Sequence, residues 1–557
     1  MAGTHAITRR VFSAVFGLPR ATSRRIVGEL DVGIPMPDGA VLLADRWAPS
    51  VPTGAPTVLI RTCYSRKQFA SLIARAYAER GLQTVVVNSR GTFGSTGGQF
   101  YAMHHEHDDG LAVLDWVRAQ PWYTGSMSLA GSSYLGYTQW AVAAEAPADV
   151  VAMHPHFTSA RLAQNFLSTG AVELDTAARW ALVTATQERP RANARVALGI
   201  DEKHLLAAMN TLPLNVIDEK ALGMAWPFYK DTVTRTEDDP RWEPWDRRAD
   251  LPRVAIPASF VAGWYDPFLM DELKDFHALQ AAGTPARLTI GPWTHASKGA
   301  SNASVLDTLD WTGIHSGASS TRDRAPVRAL VMGAGEWLEL DQWPPAGARP
   351  ERWYLGADGG LGAELVVGAP TRYSYDPAEP TPSVGGRLLL AGAGRKNNAA
   401  LESRDDVISF TSAPLQRDLR VVGDVSAEVW MSSDRPTWDL FVRLCEVDAR
   451  GRSFNVCDGL IRVAVAEVTP HPQLIRLELS PTAQLFRRGR RLRVQVSSGA
   501  HPRFARNLGS DERHDVGTVM FTARQAIFHD AEHPSAILLP RFDRPDGSAS
   551  DLDQQHP

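Results

Sequence analysis

The stretch MSLAGSSYLGYTQWAVAAEA, Met127 to Ala146, constrains this chain more than any other. A strand pattern of small and apolar residues passes into a helical pattern across two serines, leaving no residues for a loop. A strand that turns straight into a helix can present a serine at the tip of the turn. It needs small residues two positions before the serine and two or three after it. With Ser133 at the tip, Gly131 and Gly136 meet that demand. With Ser132 at the tip, the flanks are Ala130 and the bulky Tyr134. Turn sterics therefore select Ser133. Neither register satisfies the strict G-x-S-x-G pattern, because Leu135 stands where the last glycine belongs. On this stretch alone, a serine-rich turn entering a helix is the alternative.

The surroundings suit such a turn. AVLLADRWAP, PTVLIRT, QTVVVNSRG and SMSLAGSS read as strands. SLIARAYAERG, closed by Gly81, and DGLAVLDWVRAQPW read as helices between them. Strands alternating with helices imply βαβ units and a mainly parallel sheet. Between about Phe157 and Asp250 the pattern becomes helical, as in LDTAARWALVTATQERPRANARVALG, and the βαβ texture resumes at VAIPASFVAGWYDPF and ARLTIGPWTH. Beyond about Trp343, short alternating runs such as DVSAEVWMSS, WDLFVRLCEV, RRLRVQVSS and AILLPRF suggest a β-sandwich or jelly roll. A chain of 557 residues exceeds one core. The expected fold class is α/β: a domain with a mainly parallel sheet (1–155 and 251–345), an inserted helical segment (156–250) and a C-terminal all-β domain (346–557).

In a sheet of this kind, an acid and then a histidine should follow the serine in chain order. VAGWYDPF places Asp266 just past a strand, and LTIGPWTHAS places His295 in the loop after the next one. The imidazole would take the serine proton and return it to the leaving group, while the carboxylate orients the ring and stabilises its charge. Attack on a carbonyl also needs donors for the developing oxyanion. The backbone N–H of Tyr134 is one candidate. The phenol of Tyr64, at the end of the strand TVLIRT, is another, although a packed loop aromatic reads equally well from position alone.

The combination of GSSYLG, RTCYSRK, GWYDPF and GPWTH resembles the cocaine esterase and X-prolyl dipeptidyl-peptidase family of serine hydrolases, the CocE/NonD group. PDGAVLLADRW, NSRGTFGSTGGQF, HDDGLAVLDWVRAQPW, VMGAGEWLELDQWP, YSYDPAEPTPSVGG, VCDGLIRV and EHPSAILLP extend the likeness from about Asp31 to Pro540. The resemblance implies that these three regions are an α/β-hydrolase domain, an inserted helical cap and a C-terminal all-β jelly-roll domain. It also implies Ser133, Asp266 and His295 as the triad, with Tyr64 and the Tyr134 amide as the oxyanion hole. Two positions depart from the family. Asn88 stands where Asp is frequent, so an ion pair is expected to be lost there and local packing to change. Cys63 stands where proline is familiar, so a thiol beside the oxyanion tyrosine is expected to make the site sensitive to alkylation.

Relatives that accept α-amino substrates need carboxylates for the ammonium, some of them just after the catalytic Asp. Here Pro267, Phe268, Leu269 and Met270 follow it, all apolar. Phe166 and Trp180 from the cap, Phe268, and Leu389 and Leu390 from the jelly roll are the candidate acyl pocket. The expected activity is cleavage of a small-molecule carboxylic ester through an acyl-enzyme, with an apolar or aromatic acyl group. The alternatives are X-Pro dipeptidyl-peptidase or α-amino-acid ester or β-lactam acylase activity and, in another class, a non-catalytic carbohydrate- or ligand-binding protein.

The rest of the sequence excludes more than it adds. A net charge of −4 argues against a nucleic-acid or anionic-membrane partner. RRGRRLRV alternates like a strand with one wet face. HHEHDD, His104 to Asp109, points its side chains in different directions at a helix start, where negative charge is favoured, so it is not read as a metal site. No cofactor or metal is implied. Three cysteines without a CxxC pair favour a reducing, cytoplasmic location. The arginine pair at Thr8–Phe12 resembles a twin-arginine export signal but lacks a long apolar core and a cleavage site. Homodimerisation is left open.

Overall fold

The computed structural model describes residues 12–543 apart from 24, 52–53, 168, 191–194, 196–197 and 320–323. The Arg9–Arg10 pair, part of the long helical pattern after Thr186 and the polar tail from Arg544 lie outside the described residues.

The first unit is a sheet of ten strands among the described residues, in the order β1-β2-β4-β3-β5-β6-β7-β8-β9-β10. In chain order its elements begin β1 (Ile26–Pro35), β2 (Val41–Pro49), β3 (Thr57–Thr62), α1 (Phe69–Ala78), β4 (Gln83–Asn88), α2 (Glu106–Arg118), β5 (Met127–Ser132), α3 (Tyr134–Ala143) and β6 (Val150–His156). After the cap come β7 (Ala258–Tyr265), α8 (Leu269–Ala281), β8 (Ala286–Thr294), α9 (Lys298–His315), β9 (Val327–Val331) and β10 (Glu336–Leu340). From β4 through β3 and on to β9 every neighbouring pair is parallel, and antiparallel strands close both edges. Helices cover both faces, so central strands are buried throughout: every residue of TVLIRT and of ASFVAGWY is buried. Their core packs Leu59, Val85, Leu129, Phe260 and Ile290 against Val113, Leu114 and Val117 of α2 and Phe276 of α8. Burying a side chain such as Phe260 contributes about 1.5–3 kcal/mol.

The cap between β6 and β7 holds α4 (Leu174–Thr186), α5 (Glu202–Met209), α6 (Ile217–Leu222) and α7 (Pro227–Thr234). Its aromatic residues share one core cluster with Phe268, which follows β7, and Leu389 of the C-terminal unit. That unit is all-β. A four-stranded antiparallel sheet built on Thr437–Val447 and Ser453–Ala464 faces a nine-stranded one built on Ser426–Ser433, Ala523–Ile527 and Ala536–Arg541. Val442, Leu444 and Val494 meet Val429, Met431 and Ile537 between the layers. The run RRLRV alternates exposed and buried as a strand does, with Leu492 and Val494 inside. Among the described residues, no helix is long and apolar enough to cross a membrane.

Candidate active site

Four loops leave the carboxyl ends of β3, β5, β7 and β8 at one edge of the sheet, where parallel α/β sheets place their ligands. They carry Tyr64, Ser133, Asp266 and His295. Ser133 sits at φ 62°, ψ −129°, between the last residue of β5 and the first of α3. Such a backbone is costly for a residue with a side chain and is held by its surroundings. The Ser133 N–H donates to the His156 carbonyl (2.9 Å), while its own carbonyl accepts from Gly136 (2.8 Å) and Tyr137 (3.1 Å). The irregular glycine pattern has a direct explanation. A Cβ on Gly131 would lie 2.4 Å from Cβ of Leu135, and one on Gly136 would lie 2.4 Å from Cγ2 of Thr158. Leu135 takes the space beside the turn that a final glycine would leave open, and Gly131 yields it. Ser132 points elsewhere, its hydroxyl 3.3 Å from that of Ser304 on α9.

Asp266 is fully buried. Its Oδ1 accepts from the Phe268 N–H (2.8 Å), and its Oδ2 lies 2.7 Å from Nδ1 of His295. The carboxylate can only accept there, so the proton of that contact sits on Nδ1 and leaves Nε2 as a base. The edges of Phe268 (5.3 Å between ring centres) and Phe157 (6.3 Å) bracket the imidazole. Burial, reinforced by the charge of Asp266, pushes the neighbouring Glu272 well above the usual carboxylate range, so a second full negative charge beside Asp266 is disfavoured.

The phenol of Tyr64 accepts from the indole N–H of Trp180 at 2.8 Å, and Cys63 and Ser133 are its other hydrogen-bond neighbours. Burial, and next the neighbouring Cys63, hold this phenol well above its ordinary pKa, so it remains an O–H donor whose proton is directed away from Trp180. The Tyr134 amide opens α3, in the first turn where a helix leaves N–H groups without intrahelical acceptors. The Tyr134 side chain is anchored below. Its hydroxyl accepts from the Met103 N–H (2.9 Å) and donates to Glu106 (2.8 Å). Glu106 also takes the hydroxyl of Ser89 (2.7 Å) and the guanidinium of Arg61. Thus the acids of HHEHDD meet arginines as well as a helix start: Glu106 meets Arg61, and Asp109 meets Arg90 at 2.6 Å.

Ser133 opens into a cleft walled by Met103, Tyr134, Leu162, Phe166, Thr176, Trp180, Phe268 and Leu389. Trp180 stacks on Tyr134 (5.7 Å, 29°) and on Phe166 (6.4 Å, 22°). The cleft is narrow, with about 10 Å³ of free volume. Of the expected pocket residues, Phe166, Trp180, Phe268 and Leu389 line it. Leu390 does not: it packs, half-buried, at the edge of the same core, where the chain bends at Leu389–Leu390. Met103, Leu162 and Thr176 were not foreseen: the first two lie in turns that carry no periodic signal, and Thr176, on α4, is a small polar residue that nothing in the helical pattern marks as cleft-facing. The indole N–H of Trp180 on Tyr64 was not foreseen either.

Two further expectations are corrected. Cys63 is fully buried, and burial, with the charge of Glu106, pushes its thiol well above the ordinary value, which disfavours the thiolate that alkylation needs. Asn88 does more than lose an ion pair. Its amide donates to the Tyr64 carbonyl (2.6 Å) while its oxygen accepts from Arg66 (2.8 Å), so it braces the loop that carries Tyr64. Arg66 finds its counter-charge in Asp45 at 3.0 Å.

Among the described residues, one group has metal-ligand spacing: His154, His156 and Asp307, buried behind the serine turn. Arg287 occupies the same carboxylate at 2.7 Å, and His154 Nε2 lies 3.0 Å from the Thr312 hydroxyl. A cation there would face a guanidinium. The group is a hydrogen-bonded prop beneath the ends of β5 and β6, where His156 pairs in register with Ser132.

Residues 38–297 match the family model for the X-Pro dipeptidyl-peptidase (S15 family), and residues 320–538 match the model for the X-Pro dipeptidyl-peptidase C-terminal non-catalytic domain. The cocaine esterase of Rhodococcus sp. (strain MB1 Bresler) is 29% identical over 566 aligned residues, which cover 92% of this chain and 98% of that protein. Among solved structures, an aminopeptidase from a Thaumarchaeota archaeon of marine sediment superposes with a TM-score of 0.78 at 21% identity, covering 93% of this chain and 96% of that one. An α-amino acid ester hydrolase gives 0.78 at 20% identity, covering 94% and 98%.

Proposed function

The chain belongs to the cocaine esterase and X-Pro dipeptidyl-peptidase (S15) family of serine hydrolases, and from that premise we propose that it cleaves carboxylic esters bearing an uncharged, apolar acyl group. In this reading Ser133 is the nucleophile. His295 Nε2 takes its proton as Oγ attacks the ester carbonyl, and Asp266 holds the ring and its transient charge. The tetrahedral oxyanion is received by the Tyr64 hydroxyl and the Tyr134 N–H. Collapse expels the alcohol with the proton from His295, leaving the acyl group on Ser133 in the aromatic cleft. Water then repeats the sequence and releases the acid. The domain limits that accompany this reading are 1–155 with 251–345 for the catalytic unit, 156–250 for the cap and 346–557 for the jelly roll. Three unpaired, buried cysteines support placing the protein in a reducing compartment, the cytoplasm.

One observation carries the choice of acyl group: Met103, Ser133, Tyr134, Leu162, Phe166, Thr176, Trp180, Phe268 and Leu389 include no carboxylate. A substrate ammonium would be buried there without a counter-charge, at a cost of several kcal/mol. This disfavours the α-amino requirement of X-Pro peptidases and amino-acid ester hydrolases. A panel of p-nitrophenyl esters of increasing acyl length, run beside X-Pro p-nitroanilides, tests it. Turnover of the esters is expected, and turnover confined to the anilides contradicts the reading.

A further inference from the structure

Behind the Asp266 turn lies a second cavity, of about 730 Å³, where all three units meet. Pro267 and Met270 form its wall toward the hydrolase sheet, Asn165 and Thr169 come from the cap, and Arg387 and Leu460 from the β-domain. Phe268 faces the serine cleft, so the two spaces lie on opposite sides of one short segment.

Arg387 is 5% exposed, and its Nε has no hydrogen-bond partner. Among the described residues, no carboxylate lies within ion-pairing distance of it. Most other charges on the same wall are matched: Arg462 with Asp439 at 2.8 Å, Asp271 Oδ1 with Lys274 at 3.0 Å, Glu428 with Arg352 at 2.7 Å; Glu478, at the exposed rim, makes no ion pair among the described residues. Two acids lie in its field: Glu173, which makes no ion pair with it, and Asp458, which is already engaged. Asp458 takes Arg503 at 2.6 Å on one oxygen and Arg443 at 2.8 Å on the other. Burial and the like charge of Arg503 both work against the Arg387 cation, with Glu173 and Asp458 only offsetting them. Asp458 thus already carries two of the three buried arginines, Arg443 and Arg503, and Arg387 has no carboxylate of its own among the described residues. The backbone is shaped for this placement. Gly386, at φ +85°, lies so close over the pair that a Cβ would sit 2.8 Å from Asp458, and the next residue is directed to the cavity.

A buried guanidinium without an anion is strongly unfavourable, and its planar fork matches a carboxylate. Met270, Leu460 and Leu477 supply apolar wall beside it. We propose that this cavity is a binding site for an organic carboxylate with an apolar body, its carboxylate held by Arg387. Acids released by ester hydrolysis belong to this class, but the site is argued from the cavity alone and its test reads binding rather than turnover.

Phenylacetate is a suitable probe, titrated calorimetrically into the full chain after a fluorophosphonate has blocked the reactive serine. If no serine reacts, the ester-hydrolase reading is in question, and the same titration on untreated protein still decides this one. One equivalent should bind, with inorganic phosphate at least about tenfold weaker, because it lacks the apolar body. Arg387→Gln should weaken phenylacetate at least about tenfold, the least that a charge-assisted hydrogen bond contributes. Met270→Trp, which fills the cavity with Arg387 intact, should do the same, and it decides the matter if Arg387→Gln does not fold. Absence of binding to the parent protein overturns the proposal, as does undiminished binding by a folded variant or phosphate binding as tight as phenylacetate.

Discussion

The segment from Asp266 to Asp271 separates two spaces of opposite character. On the Phe268 side the cleft has about 10 Å³ free, aromatic walls, and polar groups that hold one another: Trp180 on Tyr64, Tyr134 on Glu106. On the Pro267 side the cavity offers about 730 Å³ and an arginine that has no carboxylate partner among the described residues. The first is organised to orient a reacting carbonyl before substrate arrives, which is where preorganised donors are worth most. The second holds one strong, unspent interaction, as expected of a site completed by its ligand. A polar group's state of satisfaction, more than its burial, distinguishes a positioning network from a binding site.

Variants on the cleft side sharpen this contrast through turnover, and the largest effect should come from the turn itself. Asp266→Asn keeps the shape but favours the wrong imidazole tautomer, so kcat should fall by about 10⁴ in an esterase assay. Tyr64→Phe removes one oxyanion donor and should lower kcat by about 10²–10³ with KM little changed. A variant with unchanged kcat would mean that the phenol is only packed there. Trp180→Phe keeps the stacked ring but frees the Tyr64 hydroxyl from the bond that directs its proton. A loss of about five- to tenfold in kcat, the worth of about one hydrogen bond, is expected. The smallest effect distinguishes neighbours. Leu389→Ala should change the kcat/KM ratio between long and short acyl esters by up to about tenfold, and Leu390→Ala by no more than about twofold.

Much of this was legible in the sequence, for a physical reason. Ser133, Asp266, His295 and Tyr64 follow strands whose apolar runs are unmistakable, and strand ends in a parallel sheet converge on one edge. Phe166, Trp180 and Phe268 were legible as aromatics near that edge, but the direction of Leu390 at a bend in the chain was not. Asn88, Cys63 and Glu106 show where reading stops. Each lies close to Tyr64 or Tyr134 in sequence or in space, yet whether it braces, reacts or binds depends on partners such as Arg66 and Arg61 that only the folded chain supplies. Arg387 was invisible for the same reason, since an arginine in a glycine-rich loop reads as solvated until the folded chain shows it buried without a carboxylate of its own.

The central claim is that Ser133, held at the strand-to-helix turn, is the nucleophile, and that Ser132, turned toward Ser304, is not. Labelling with a fluorophosphonate, with the adduct located by peptide mass spectrometry, tests it most directly. The parent protein and Ser132→Ala should carry the adduct on residue 133, and Ser133→Ala should carry none. Labelling that survives in Ser133→Ala and disappears in Ser132→Ala would contradict the account.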